Sequence, residues 1–310
     1  MYIDSTRHLQ LDRESRGTRY YRNAVERHWD PFDIDLDRDR EALVAHLREV
    51  DDPEQHFDGM KMGVARFGAG EQAVTEDLAP LAVALDDIDD QMFVTTQLYE
   101  EAKHTDHFDR YWREVVHPVE EELGLEQSSP TDPKWFNEPY HDLFERNEEA
   151  MYALLDDPTP EDFARAYCHY HLVVEGILAQ TGYYGMQQSY GKDTYTELPY
   201  LPGLYEGFTL IRQDEGRHVG FGMGKLKELV HEEAVDPGLL DETVNELLPL
   251  VNGIAANPED QYVEDVGISP EELQRFAAEK HVQRMEQIKD AAQDVPDLDS
   301  LTELEGVGDD

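Results

Sequence analysis

The chain has 310 residues, 70 of them Asp or Glu against 26 Lys or Arg, for a formal net charge of −44 at pH 7. That sign repels phosphate backbones and anionic bilayers, so nucleic acid is excluded as a partner and membrane surfaces are disfavoured. Acid spread evenly with Lys scarce is the composition of a chain kept soluble in concentrated salt, as in a halophile's cytoplasm. Hydrophobic residues at 39% suffice for a core at this length. The single cysteine, Cys168, allows no intrachain disulfide and suits a reducing compartment. The N-terminal stretch has no apolar run of the signal-peptide kind, and no window is long and apolar enough to span a bilayer. A soluble cytoplasmic protein without a transmembrane segment is expected.

Helical periodicity dominates and strand-like alternation is nearly absent. Residues 1–36 read as irregular, with HWDPFDID (28–35) as a docking loop, and a short amphipathic helix follows over 37–49. RFGAG (66–70) reads as a turn delivering a helix that begins near Glu71 and is ended or kinked by Pro80. A long helix is expected from Asp87 to Val116, stopping before Pro118, with loops over 126–134 and 156–160. Thr159, Pro160, Glu161 and Asp162 make a helix start: a hydroxyl N-cap, Pro at the first position, then acids in the first turn. A buried helix follows, ending near Tyr190, then helices over 204–231, 238–253 and 269–292. Long helices without strands give an all-α bundle over residues 1–293, followed by an acidic tail, 294–310, expected to be disordered.

The chemistry starts at Glu175, the only formal charge between Ala166 and Gly191. An ionised carboxylate in such a helix costs several kcal/mol unless it is paired or bound to a metal, and no Lys or Arg lies within a turn or two of it. Glu-x-x-His pairs place both side chains on one helix face, within reach of one metal. Five occur. Glu114/His117 abuts Pro118, Glu138/His141 encloses Pro139, and Glu228/His231 sits at a charged helix end; these read as surface pairs. Glu101/His104 and Glu215/His218 lie mid-helix after apolar stretches. The order is therefore Glu71, Glu101-x-x-His104, Glu175, Glu215-x-x-His218: a lone Glu followed by the pair, twice. One Glu from each of two helices and a Glu-x-x-His from each of two others is the donor set of dinuclear carboxylate bundles. Four carboxylates balance two divalent cations, and oxygen with imidazole suits iron or manganese rather than a thiolate zinc site.

RFGAGE (66–71), EAKH (101–104), HYHLVVEG (169–176) and DEGRH (214–218) carry a resemblance to the ribonucleotide-reductase small-subunit superfamily and, within it, to the R-two-like ligand-binding oxidases. The resemblance covers the chain from about HWDPFDID to the last helix. It implies a ferritin-like four-helix bundle with additional helices, a homodimer, and metal ligands Glu71, Glu101, His104, Glu175, Glu215 and His218. It also implies that Asp214 accepts a hydrogen bond from a ligand His. In reductase small subunits the radical Tyr stands one turn after the first motif His; here that position is Phe108, and no Tyr follows Tyr262.

The ligand-binding oxidases are marked instead by a Val three residues after the first Glu and a Tyr five before the third, here Val74 and Tyr170. In that family an ether link joins the two. The resemblance further implies a manganese–iron pair, with two irons as the alternative. Manganese would lie at Glu71 and His104, with Glu101 bridging toward iron at Glu175, Glu215 and His218. A long-chain fatty acid would occupy an apolar tunnel, with Phe67, Val173, Ile177, Leu178 and Phe208 as candidate walls. The implied activity is two-electron C–H oxidation with dioxygen. A radical-generating reductase subunit, and an iron store or scaffold, are the alternative functions.

Overall fold

The structure, a computed structural model, describes residues 11–192, 194, 197–255 and 268–302. Tyr262 and residues 303–310 of the expected tail lie outside that set. Among the described residues there is no strand, in line with the all-α expectation.

Helix α1 (Arg16–Glu26) falls in the stretch expected to be irregular. Its buried positions are Gly17, Thr18 and Ala24, with Tyr20 packed edge-on against Phe93, so the face it buries has few large apolar residues. It is held by small and polar contacts: Ser15 caps Thr18 N at 3.1 Å, and the Thr18 hydroxyl donates to Asp89 Oδ1 at 2.9 Å. Helix α2 (Asp37–Leu47) follows a short turn at Pro31–Asp33.

Helix α3 runs unbroken from Pro53 to Asp77, so RFGAG is helix interior and not a turn. Its glycines serve close packing: a Cβ at Gly68 would lie 3.2 Å from Phe108 Cβ, and one at Gly70 would lie 3.3 Å from the Phe144 ring. Helix α4 (Ala79–Ala84) restarts the chain with Pro80 in its first turn, where a missing N–H costs nothing.

Helix α5 (Ile88–Tyr111) does not stop before Pro118. A π-helical turn, Trp112–Val116, carries it into α6 (His117–Leu123), which places the proline in α6's first turn. Helix α7 spans Glu138–Tyr152. Helix α8 (Pro160–Tyr167) starts with the Thr159–Asp162 capping box and continues as a π-helix over Cys168–Ala179 into α9 (Gln180–Tyr190). Helices α10 (Pro202–His231), α11 (Pro237–Ala255) and α12 (Pro270–Lys289) follow. Part of the expected disordered tail is helical: α13 (Leu298–Thr302) packs on α10 with Leu301 buried. Leu298 and Val295 pack beside it, so a few apolar side chains anchor a single turn in an acidic stretch.

Among the described residues two large apolar clusters fill the interior, with a small third around Tyr184, Ile268 and Phe276. One is built on Phe93, Tyr167, Leu172, Val173 and Phe221, the other on Phe57, Tyr111, Trp112, Phe108 and Phe208. Between them α3, α5, the π-helix and α10 pack together. The buried acids and imidazoles lie on these four segments.

Candidate metal centre

Glu71 stands on α3, Glu101 and His104 on α5, Glu175 on the π-helix, and Glu215 and His218 on α10, and all six are buried. The structure brings them together. Donor atoms of Glu71, Glu101, His104 and Glu215 lie within 4.8 Å of one another, as do those of Glu101, Glu175 and His218. His104 Nδ1 is 3.4 Å from Glu71 Oε2, 3.3 Å from Glu101 Oε2 and 3.7 Å from Glu215 Oε1. His218 Nδ1 is 3.0 Å from Glu101 Oε1, 3.4 Å from Glu175 Oε1 and 3.5 Å from Glu215 Oε2. Glu101 thus faces both imidazoles. Glu215 does so too, with one oxygen toward each, where the expected arrangement assigned it to the second position alone.

Each imidazole turns its Nε2 outward to an acid on the opposite motif. His104 Nε2 lies 3.1 Å from Asp214 Oδ2 and His218 Nε2 lies 2.9 Å from Glu100 Oε2. Asp214 immediately precedes Glu215, and Glu100 immediately precedes Glu101, so the two motifs serve each other's histidines. Arg217 ties the two acids together by hydrogen-bonding both Glu100 and Asp214. Trp29 Nε1 donates to Asp214 Oδ2 at 2.8 Å, and the Lys103 ammonium stands 2.8 Å from the same oxygen, over the Trp29 ring. Those charge-assisted bonds override burial and hold Asp214 well below the usual carboxylate range.

Glu175 has its own support. Gln97 Nε2 donates to Glu175 Oε1 at 2.8 Å, and Gln97 Oε1 lies 3.4 Å from His171 Nε2. Burial pushes His171 down to about 3, so it is a neutral ring that orients the amide. The π-helix is what lets this segment serve the site. Its i→i+5 period puts Tyr170 and Glu175 on one face, whereas an α-helix would splay them. Tyr170 Oη accordingly donates to Glu101 Oε1 at 3.3 Å.

The donor set fits a pair of divalent cations on two counts. Glu101 Oε2, His104 Nδ1, Glu175 Oε2, Glu215 Oε2 and His218 Nδ1 are all buried with no hydrogen-bond partner, and all point into one space. The charge is also out of balance: burial drives Glu71 up to about 8 and Glu175 well above the carboxylate range. The surrounding carboxylates, Glu71 first for His104 and Glu101 first for His218, overcome burial and pull protons onto the imidazoles. Four acids cannot all ionise in a dry space without cations.

A cavity of about 270 Å³ opens on Glu71, Glu101, Glu175 and Glu215 and passes Val74, Phe67 and Leu178. Phe67 is stacked between Phe108 and Tyr183, at 5.6 and 5.1 Å. Val173, Ile177 and Phe208, also expected as walls, are packed in the apolar clusters instead, because the π-helix turns Val174 to the cavity in place of Val173. The other three Glu-x-x-His pairs lie away from the cluster: Glu114 pairs with Arg110, Glu228 with Lys225, and Glu138 and His141 are exposed in the first turn of α7.

Asp214, which the resemblance names as the acceptor for a ligand His, stands 3.1 Å from His104 Nε2. Glu100, Arg217, Gln97, Lys103 and His171 were not singled out from sequence. Glu100 was within reach, since it stands to Glu101 as Asp214 stands to Glu215.

Four helical segments contributing buried Glu and Glu-x-x-His groups to one dry space define a ferritin-like dimetal carboxylate protein. No family model matches the chain. Similar solved structures include a tyrosine-to-phenylalanine variant of an R2-like ligand-binding oxidase with aerobically reconstituted Mn/Fe cofactor, at 30% identity and TM-score 0.75, covering 90% of this chain and 95% of that one. A valine-to-leucine variant with anaerobically reconstituted Mn/Fe cofactor matches at 29% identity and TM-score 0.75, with the same coverage. A glutamate-to-aspartate variant with aerobically reconstituted Mn/Fe cofactor matches at 28% identity and TM-score 0.75, over 92% of this chain and 99% of that one. The chain belongs to the R2-like ligand-binding oxidases, and is an oxidoreductase of that dimetal class.

Proposed function

We propose that Glu71, Glu101, His104, Glu175, Glu215 and His218 hold a manganese–iron pair, and that the protein oxidises C–H bonds of a fatty-acid-like ligand with dioxygen. The observation that carries this reading is the meeting of the cavity with the carboxylate cluster: an apolar channel that ends on buried acids orients a long chain with its head at the metals. When bound, the metal pair supplies two-electron oxidation driven by dioxygen.

The remaining work belongs to the chain. Asp214 and Glu100 fix both imidazoles with Nδ1 inward. Gln97 fixes Glu175, and Phe67, Phe108 and Tyr183 keep water from the inner cavity. Burial holds the Tyr170 phenol well above its ordinary range, so Oη keeps its proton and gives it to Glu101 as a hydrogen bond.

We extend the reading to the Val74–Tyr170 ether. Its formation joins Tyr170 Oη to Val74 Cβ and removes one hydrogen from each, two protons and two electrons passing to dioxygen. Val74 lines the cavity beside Glu71, and Tyr170 hydrogen-bonds Glu101, so both border the same carboxylates. Phe108, which has no phenol at the position where a reductase subunit carries its radical Tyr, favours the oxidase over a radical-exporting subunit. A homodimer in the cytoplasm completes the proposal.

Solvent extraction of the purified, metal-loaded protein followed by lipid mass spectrometry tests the ligand. One long-chain fatty acid per chain is expected; protein that co-purifies with none, and takes up none on incubation, would remove the ligand from the account.

A further inference from the structure

We infer that Lys103 biases the position built on Glu71 and His104 toward manganese, by drawing charge from the acid that supports His104. The inference rests on the manganese–iron reading above and concerns which metal each half of the centre prefers. The residue before each motif histidine is a cation, Lys103 in Glu101-x-x-His104 and Arg217 in Glu215-x-x-His218. Both are buried, yet their reach differs. Arg217 Nη2 donates to Glu100 Oε1 and to Asp214 Oδ1, so it serves the two acids alike. Among the described residues Lys103 pairs with Asp214 alone, and at the other oxygen, 2.8 Å from Oδ2.

The two histidine anchors are therefore unequal. Asp214 Oδ2 takes three partners: His104 Nε2 at 3.1 Å, Trp29 Nε1 at 2.8 Å and Lys103 Nζ at 2.8 Å. Among the described residues Glu100 Oε2 takes one, His218 Nε2 at 2.9 Å. An acceptor that pulls on an imidazole N–H makes the opposite ring nitrogen a stronger donor to a metal. Asp214 shares its charge with an ammonium, so it pulls less on His104 than Glu100 pulls on His218. His104 Nδ1 is then the weaker donor of the two. Divalent affinity rises from manganese to iron, and it rises less where the nitrogen donor is weaker. His104 accordingly disfavours manganese less than His218 does. The carboxylates offset this only in part. Glu175 accepts from the Gln97 amide at 2.8 Å, but a neutral donor draws less charge than an ammonium. Glu101 and Glu215 face both imidazoles and do not discriminate.

The test is loading of the full chain with equal excesses of Mn(II) and Fe(II) without dioxygen, so that affinity alone decides. Desalting, elemental analysis and anomalous diffraction at the two metal edges follow. Lys103→Met removes the ammonium, while Arg217 and Trp29 remain to hold Asp214. It should keep two metals and lower the Mn:Fe ratio by about two- to tenfold, with the added iron at Glu71 and His104. Trp29→Phe removes a neutral donor from the same oxygen and should move the ratio the same way by less, which keeps the idea testable if Lys103→Met does not fold. Lys61→Met controls for lost stability. Lys61 is likewise a buried ammonium, 3.1 Å from Glu120 Oε1 and over the rings of Phe57 and Trp135, and its loss should leave the ratio unchanged. Two irons in the wild type would remove the manganese–iron reading and this inference with it. A wild type holding both metals would overturn the role of Lys103 alone in any of three cases: Lys103→Met keeps the same ratio, takes its added iron at Glu175 and His218, or shifts no more than Lys61→Met.

Discussion

Glu100 Oε2 accepts a hydrogen bond from His218 Nε2 at 2.9 Å, although Glu100 is on α5 beside Glu101 and His218 is on α10 beside the opposite motif. Asp214 does the same for His104 in the reverse direction, at 3.1 Å. Each acid fixes one imidazole so that the lone pair of Nδ1 faces the cluster. The two helices therefore cannot shift independently without turning both rings.

Glu100→Gln should weaken metal binding by about 10- to 100-fold, because the amide no longer anchors the Nε2 proton and leaves Arg217 short of an anion. Chelator competition on the purified variant measures it. Unchanged affinity at both positions would contradict the exchange of acids between motifs.

Tyr170→Phe should keep two metals and lose the crosslink. The phenol's contact with the site is one 3.3 Å hydrogen bond to Glu101. Tryptic mapping after aerobic metal loading reads the result: wild type should give Val74 and Tyr170 peptides joined, and the variant should give them separate. Separate peptides in wild type would remove the ether from the account.

Asp77 at the end of α3 should make stability depend on pH. Burial raises it from 3.8 to about 6, against a single favourable bond from Asn147 Nδ2 at 2.8 Å. A raised acid is protonated in both states below the unfolded value, so the fold is most favoured there. Stability is lost as pH climbs from about 4 to 6 and stays lower above that. The shift corresponds to at most about 3 kcal/mol, and partial solvent screening reduces it to about 1–2 kcal/mol. Asn147 Oδ1 is buried without a partner. Asp77→Asn gives that oxygen an amide donor and removes the charge, so it should raise the melting temperature at pH 7 and flatten the dependence between pH 4 and 6. A variant less stable than wild type at pH 7 would contradict this.

Much of the site was legible because its residues sit at helical spacings. Glu101/His104 and Glu215/His218 share faces by i,i+3 geometry, and Glu175 stood out as a lone charge in an apolar run. What α-helical periodicity could not reveal was the π-helix over Cys168–Ala179, since a five-residue period leaves no polar face in a segment buried on nearly every side. That is why Val173 was expected at the cavity and Val174 is found there. Gly68 and Gly70 suggested a turn, because glycine's freedom and its smallness leave the same mark in sequence. Only the neighbours Phe108 and Phe144 show that smallness was the reason. Helix α1 was missed because the positions it buries fully, Gly17, Thr18 and Ala24, are small or polar.

Two metals held by one set of six side chains are what the buried cluster most directly requires. Elemental analysis of protein loaded in air with both Mn(II) and Fe(II) measures this, alongside Glu175→Ala. The wild type should hold two metals per chain, near-equal in manganese and iron. The variant, stripped of the carboxylate that faces His218, should lose the pair. Two irons without manganese would keep the centre and change its metals. No metal in the wild type, or two tightly held metals in Glu175→Ala, would contradict the assignment.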